Sequence, residues 1–162
     1  MSEKNKILVT RRMPDAVTER ALDTYRATIN AADDPYAAGD MLARCQGMDG
    51  LLCTISNDLA GDAIMALPAS VRVIATFSAG FEHIDLAAAK ERGIVVTNTP
   101  GVLTEATADI ALLLMLGAAR RATEGVNMLR RGWTGWTPTQ LMGIEVSGKR
   151  LGIVGMGRIG RA

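Results

Sequence analysis

Up to Pro100, short apolar runs alternate with longer stretches whose apolar positions recur at helical spacing. Lys6–Thr10 (KILVT) reads as a strand. Pro14 suits the first turn of a helix running to about Tyr25, where its missing N–H would be unpaired anyway. Ala27–Ala32 is the next strand candidate. Asp34-Pro35 repeats the start signal, a capping carboxylate followed by proline, for a helix to about Gln46 that Gly47 ends. Gly50–Ile55 (GLLCTI) is apolar almost throughout, as a strand covered on both faces is. Leu59–Leu67 reads as helix and Val71–Phe77 as strand. Asp85 caps a helix over Leu86–Arg92 that Gly93 closes, and Ile94–Thr97 is the fifth strand. Strands alternating with helices make βα units on a parallel sheet. Right-handed crossovers then put helices on both faces, giving a doubly wound α/β domain.

The pattern changes after Asn98-Thr99-Pro100-Gly101. Thr104 can cap a long helix with Glu105 in its first turn, where negative charge suits the helix dipole. Ile110, Leu113, Leu114 and Gly117 share one side, but Leu112, Met115 and Leu116 fill much of the other. A helix apolar nearly all round must be covered on several sides, as between two domains or two subunits. It is predicted to reach about Arg131, with Arg120, Arg121, Arg130 and Arg131 marking a solvated end. Gly132–Gly143 is irregular. Lys149–Val154 is predicted as a strand that runs into Gly155-Met-Gly-Arg-Ile-Gly160.

Those last glycines match G-x-G-x-x-G. In such a turn the first glycine permits the tight turn off a strand, the second lets backbone approach a pyrophosphate, and the third allows helix to pack on strand. The phosphate then meets free N–H groups at the helix start. Composition adds exclusions. Apolar residues are 48% and charged residues 22%, with a formal net charge of +1. No basic surplus argues for nucleic acid. The polar start carries no apolar leader segment. The apolar run Ile110–Ala119 is far short of the roughly 20 residues a membrane span needs. Cys45 and Cys53 have no metal-ligand or CxxC spacing and read as reduced thiols, so the expected location is cytoplasmic.

Four segments carry a specific resemblance. Gly148-Lys-Arg-Leu-Gly-Ile-Val-Gly-Met-Gly-Arg-Ile-Gly160 resembles the cofactor motif of the D-2-hydroxyacid dehydrogenases. Phe77-Ser-Ala-Gly-Phe-Glu-His-Ile-Asp85 resembles their substrate loop, Gly93-Ile-Val-Val-Thr-Asn-Thr-Pro-Gly101 their hinge strand, and Thr104-Glu-Ala-Thr-Ala-Asp-Ile-Ala-Leu112 the start of their interdomain helix. Trp133, Trp136 and Pro138 ahead of Gly143 are similar to the glyoxylate and hydroxypyruvate reductase branch. The resemblance implies a flavodoxin-like substrate domain over residues 1–102. Residues 103–162 then hold the interdomain helix, a dimerisation arm and the start of a Rossmann dinucleotide-binding domain.

It also implies roles. Backbone N–H groups at Ser78, Ala79 and Gly80 would take the substrate carboxylate, which suits small residues and consecutive amides. Ile55 and Ser56, after the third strand, would line the same cleft. Trp136 would reach a neighbouring subunit's site, and the partner would be a second copy joined through residues 104–145. Thr107 would lie near the nicotinamide of NAD or NADP, and Gly155, Gly157, Arg158, Ile159 and Gly160 around its pyrophosphate. His83, the only histidine, sits in a turn leading to the Asp85 cap and is not expected to be catalytic. The family's arginine, glutamate and histidine have no counterpart in this chain. So isolated 1–162 is expected to show no glyoxylate-dependent NAD(P)H oxidation, and its segment from Leu103 onward to need a partner. The implied activity is hydride transfer between NAD(P)H and a small 2-oxo acid. The alternative is a non-catalytic, dinucleotide-sensing module like the corepressors that share the fold.

Overall fold

The computed structural model describes residues 3–162, in two compact units that divide between Pro100 and Gly101. In the first unit, β1 (Lys6–Val9), β2 (Arg26–Ile29), β3 (Gly50–Cys53), β4 (Val73–Thr76) and β5 (Val95–Thr97) form one sheet. All neighbours are parallel, in the order β2-β1-β3-β4-β5. The order reverses between β1 and β3, which is where ligands gather in open α/β sheets. The connecting helices are α1 (Asp15–Thr24), α2 (Ala38–Arg44), α3 (Gly61–Met65) and α4 (Leu86–Glu91).

The pleat divides the strand residues between two faces. Leu8, Leu51, Cys53 and Ile74 turn to one face and are buried with Met41 of α2, Cys45 at its end, Ile64 of α3, and Ala88 and Ala89 of α4. Burial pushes both thiols up to about 11, so neither is a ready nucleophile. Within this unit the other face carries α1. Ile7, Leu52, Val73 and Val95 there line an open apolar cleft of about 640 Å³ beside Ala21 and Tyr25.

Three starts and stops differ from the sequence reading. Pro14 is the N-cap of α1 rather than a residue within its first turn. The helix expected from Asp34-Pro35 begins at Ala38, because Asp33 takes a left-handed conformation (φ 63°) and the Asp34 carbonyl accepts from Asn30 Nδ2. Leu59 lies outside α3, paired instead with Ile84 in a parallel bridge. Arg92 then holds the far end of α3, its guanidinium donating to the carbonyls of Ile64, Met65 and Leu67.

The second unit contains α5 (Thr104–Ala119), α6 (Ala122–Arg130) and α7 (Arg158–Arg161). Thr104 does not cap; Leu103 is the N-cap of α5. The single helix expected to Arg131 breaks at Arg120–Arg121, with Arg121 at φ 54°. The cause lies far along the chain: Ile144 N–H takes the Ala119 carbonyl at 2.7 Å, and Gly143 packs so close that a Cβ there would strike it. Residues 149–154 form no strand. A strand needs a neighbour to share its ladder, and among the described residues this unit has none. Among the described residues no helix is long and apolar enough to cross a membrane.

Candidate functional site

The carboxyl ends of β3, β4 and β5 lie side by side, with Cys53 opposite Thr76 and Ala75 opposite Thr97. Phe77 N–H closes the β4 ladder on the Cys53 carbonyl, and the chain then turns through Ser78, Ala79 and Gly80. All three carbonyls of this turn are held. Ser78 O accepts from Thr99 N–H at 2.9 Å, Ala79 O from Asn98 Nδ2 at 2.8 Å, and Gly80 O from Ser78 Oγ at 2.5 Å. The matching N–H groups of Ser78, Ala79 and Gly80 donate to no acceptor among the described residues. A turn with its carbonyls tied back and consecutive amides free presents positive partial charge outward, the polarity that receives an anion. Gly80 also permits the Glu82 carboxylate to lie against it, since a Cβ there would meet Glu82 Oε2.

Behind the turn, Ser78 Oγ lies 3.0 Å from Thr76 Oγ1, which lies 2.9 Å from His83 Nε2. Thr76 is 2% exposed. His83 is thus engaged by a buried hydroxyl, in keeping with a supporting position.

A second wall stands at the reversal point. Arg11, just past β1, donates from Nε and Nη2 to the Asp33 carboxylate at 2.8 and 3.3 Å, and from Nη1 to Ser56 Oγ at 2.9 Å. Ser56 Oγ lies 2.8 Å from Thr54 Oγ1. Beneath them Thr10 Oγ1 donates to Asn57 Oδ1 at 2.7 Å, and Asn30 Nδ2 donates to Thr10 O at 2.9 Å. Ile55 stands free, 70% exposed. Sequence reasoning missed Arg11, Asp33, Thr76 and Asn98. The position of Asn98 just past a strand's carboxyl end was a usable signal. Arg11 and Asp33 are 22 residues apart and carried none.

Asp33 titrates at about 2, lowered first by its hydrogen bond from Arg11 and then by the one from Arg12 N–H. The folded value lies below the ordinary 3.8, so this contribution to stability is fully present above that value. It is lost as pH falls through about 2. A carboxyl NMR titration is expected to give that low midpoint. Arg11→Met should return it toward the ordinary value of 3.8. An ordinary midpoint in the unsubstituted chain would show that the pair does not form in solution.

In the second unit, Gly155 holds φ 96°, the left-handed region that favours glycine. Gly157 is the N-cap of α7 and faces open space. Gly160 approaches the Gly155 carbonyl so closely that a Cβ would collide with it. A sharp turn, an open middle and a close third contact fit the three tasks of a dinucleotide-binding turn. Arg158 and Ile159 begin α7, with Ile159 47% exposed. The Thr107 hydroxyl donates to Leu103 O at 2.7 Å, so its proton is committed to its own helix. Trp136 is 73% exposed on the irregular stretch, while Trp133 donates from Nε1 to Gln140 Oε1 at 3.3 Å. Among the described residues no cluster of histidine, cysteine and carboxylate side chains could hold a metal ion.

Residues 7–148 match the family model "D-isomer specific 2-hydroxyacid dehydrogenase, catalytic domain". Glycerate dehydrogenase of Hyphomicrobium methylovorum is 43% identical over 160 residues, 98% of this chain and 50% of that protein. The TT0316 protein of Thermus thermophilus superposes with a TM-score of 0.87 at 40% identity, over 96% of this chain and 50% of that one. An NADPH-dependent glyoxylate/hydroxypyruvate reductase of Sinorhizobium meliloti, in complex with NADP and malonate, has a TM-score of 0.77 at 29% identity. That match covers 98% of this chain and 48% of that one. The chain spans about half the length of the curated relatives it matches. By the match over most of its length, by its five-stranded parallel sheet and by its relatives, the chain belongs to the D-isomer specific 2-hydroxyacid dehydrogenase family.

Proposed function

We propose that the protein takes part in hydride transfer between NAD or NADP and a small 2-oxo or D-2-hydroxy acid, glyoxylate or hydroxypyruvate being the expected size. The observation that carries this is the Ser78–Gly80 turn, whose carbonyls are all engaged and whose amides are all free. A carboxylate seated there meets fixed donors that need no reorganisation, and fixed seating is what a hydride acceptor requires. Ser56, held by Arg11, and Ile55 form the neighbouring wall of the cleft. A small substrate suits turns at the ends of adjacent strands, which are about 5 Å apart. The Sinorhizobium reductase carries malonate, a carboxylate of similar size, and NADP.

The dinucleotide supplies the hydride when bound. This chain's own contribution is the turn: Gly155 and Gly157 leave room for the pyrophosphate, and the N–H groups of Arg158 and Ile159 would hold it. Thr107 near the nicotinamide would serve through its position, because its hydroxyl proton is already used. Trp136, exposed on the segment after α6, is assigned to an interface with a second copy, where tryptophan is enriched.

The test is a glyoxylate titration of the 162-residue chain followed by amide NMR. Shifts are expected first at Ser78, Ala79 and Gly80. Asn98→Ala, which frees the Ala79 carbonyl, is expected to weaken binding about fivefold, the worth of one hydrogen bond. Shifts confined to other residues, or none at all, would overturn the reading.

A further inference from the structure

Ser78 Oγ, Thr76 Oγ1 and His83 Nε2 form a chain of hydrogen bonds ending on the Gly80 carbonyl. The carbonyl fixes the direction of the whole chain, because it can only accept. Ser78 must therefore spend its single hydroxyl proton on Gly80 O. Having none left, it accepts from Thr76, whose proton is thereby spent in turn. Thr76 Oγ1 must then accept from His83, so Nε2 carries a proton. That requirement is met by the neutral Nε2–H tautomer and equally by the imidazolium.

The histidine is itself held from behind. Its carbonyl accepts from Leu59 N–H at 2.9 Å, and Asp85 N–H returns to Leu59 O at 3.0 Å. Ile84 between them is 4% exposed, and Asp85 Oδ1 caps α4 by accepting from Ala87 and Ala88. The ring thus projects from a fixed bridge onto a hydroxyl that is 2% exposed. No step of the proposed reaction uses this arrangement. Through Ser78 it leads to the turn that would seat the carboxylate.

We propose that His83 is a positioning residue for that turn: through Thr76 it orients Ser78 to hold the Gly80 carbonyl back, so that the Ser78–Gly80 amides stay free for a carboxylate. This rests on the carboxylate reading of the turn. The signature is a relay that runs from Nε2–H through Thr76 and Ser78 to Gly80 O.

Because His83 is the chain's only histidine, its ring nitrogens can be observed without ambiguity. Long-range ¹⁵N–¹H spectra of the 162-residue chain are expected to show the Nε2–H tautomer when the ring is neutral. The Nδ1–H tautomer would overturn the relay. His83→Phe removes the donor, and is expected to weaken glyoxylate binding at the Ser78–Gly80 amides about fivefold. His83→Gln, whose Nε2–H₂ keeps a donor at similar reach, should restore binding to within about twofold. Thr76→Val, nearly equal in shape, should reproduce the loss of His83→Phe. A merely structural histidine predicts otherwise: Gln and Phe variants would bind alike, or loss of binding would follow loss of melting temperature. Either result overturns the proposal. If the unsubstituted chain shows no glyoxylate response at these amides, the carboxylate reading fails, and with it the role given to His83. The tautomer still reports separately whether the relay exists.

Discussion

Replacing Ile74 by alanine is expected to cost about 3–4 kcal/mol of stability, within the range for a fully buried isoleucine. Ile74 is 0% exposed and sits on β4, opposite Leu51 on one side and Val96 on the other. Its side chain belongs to the buried cluster with Ile64 of α3, Leu67 and Ala88 of α4, and β4 is flanked by β3 and β5, so a cavity there has little freedom to collapse. The next residue gives the control. Val73 points to the opposite face and is 40% exposed, so Val73→Ala is expected to cost under about 1 kcal/mol, a fraction of the burial value. Urea unfolding of the two variants, followed by circular dichroism, measures the difference. Domains have only about 5–15 kcal/mol in all, so the Ile74 change should move the midpoint visibly and the Val73 change hardly at all. Equal losses would mean that the two faces of β4 are equally covered, contrary to the packing described above.

The same pair shows how far the sequence could be read. Val71–Phe77 reads as a strand, and the alternation of strands with helices placed it in a parallel sheet. It could not reveal that one face would be packed by α2, α3 and α4 while the other, beside α1, keeps an open cleft, because apolar residues fall on both faces. Local signals with a local cause did specify structure: Asp85 caps α4 with its own carboxylate, as its position ahead of Leu86 implied. Signals contradicted by distant contacts did not. Asp34-Pro35 resembles a helix start, yet Asp33 is drawn to Arg11 and Asn30 to the Asp34 carbonyl, so the helix waits until Ala38. The long helix is interrupted by Gly143 and Ile144, more than twenty positions beyond the break. At the candidate site, the small residues Ser78, Ala79 and Gly80 marked a turn at a strand end. What polarises that turn is Asn98, Thr99, Thr76 and His83, and those bonds are tertiary.

Aspartate at Leu113 is expected to weaken self-association of the chain by about a hundredfold to ten-thousandfold. No residue of α5 is buried. Leu112, Leu113 and Leu114 are 50%, 63% and 66% exposed. Consecutive helical residues point about 100° apart, so these three spread apolar surface around most of the helix. Ile110 and Leu116, 52% and 47% exposed, extend it along the axis. An apolar patch of this kind is normally covered, and under the proposed interface with a second copy that copy covers it. In a two-fold dimer each substitution counts twice. Burying one leucine contributes about 1.5–3 kcal/mol, so the pair contributes about 3–6 kcal/mol, and each 1.4 kcal/mol is tenfold in affinity. Sedimentation equilibrium of the chain and of Leu113→Asp measures this directly. Arg20→Gln, on α1 in the other unit, should leave the association constant unchanged. An unsubstituted chain that remains a monomer across the micromolar range, or a Leu113→Asp variant that associates as tightly as the original, would show that this helix is covered by something other than its own copy.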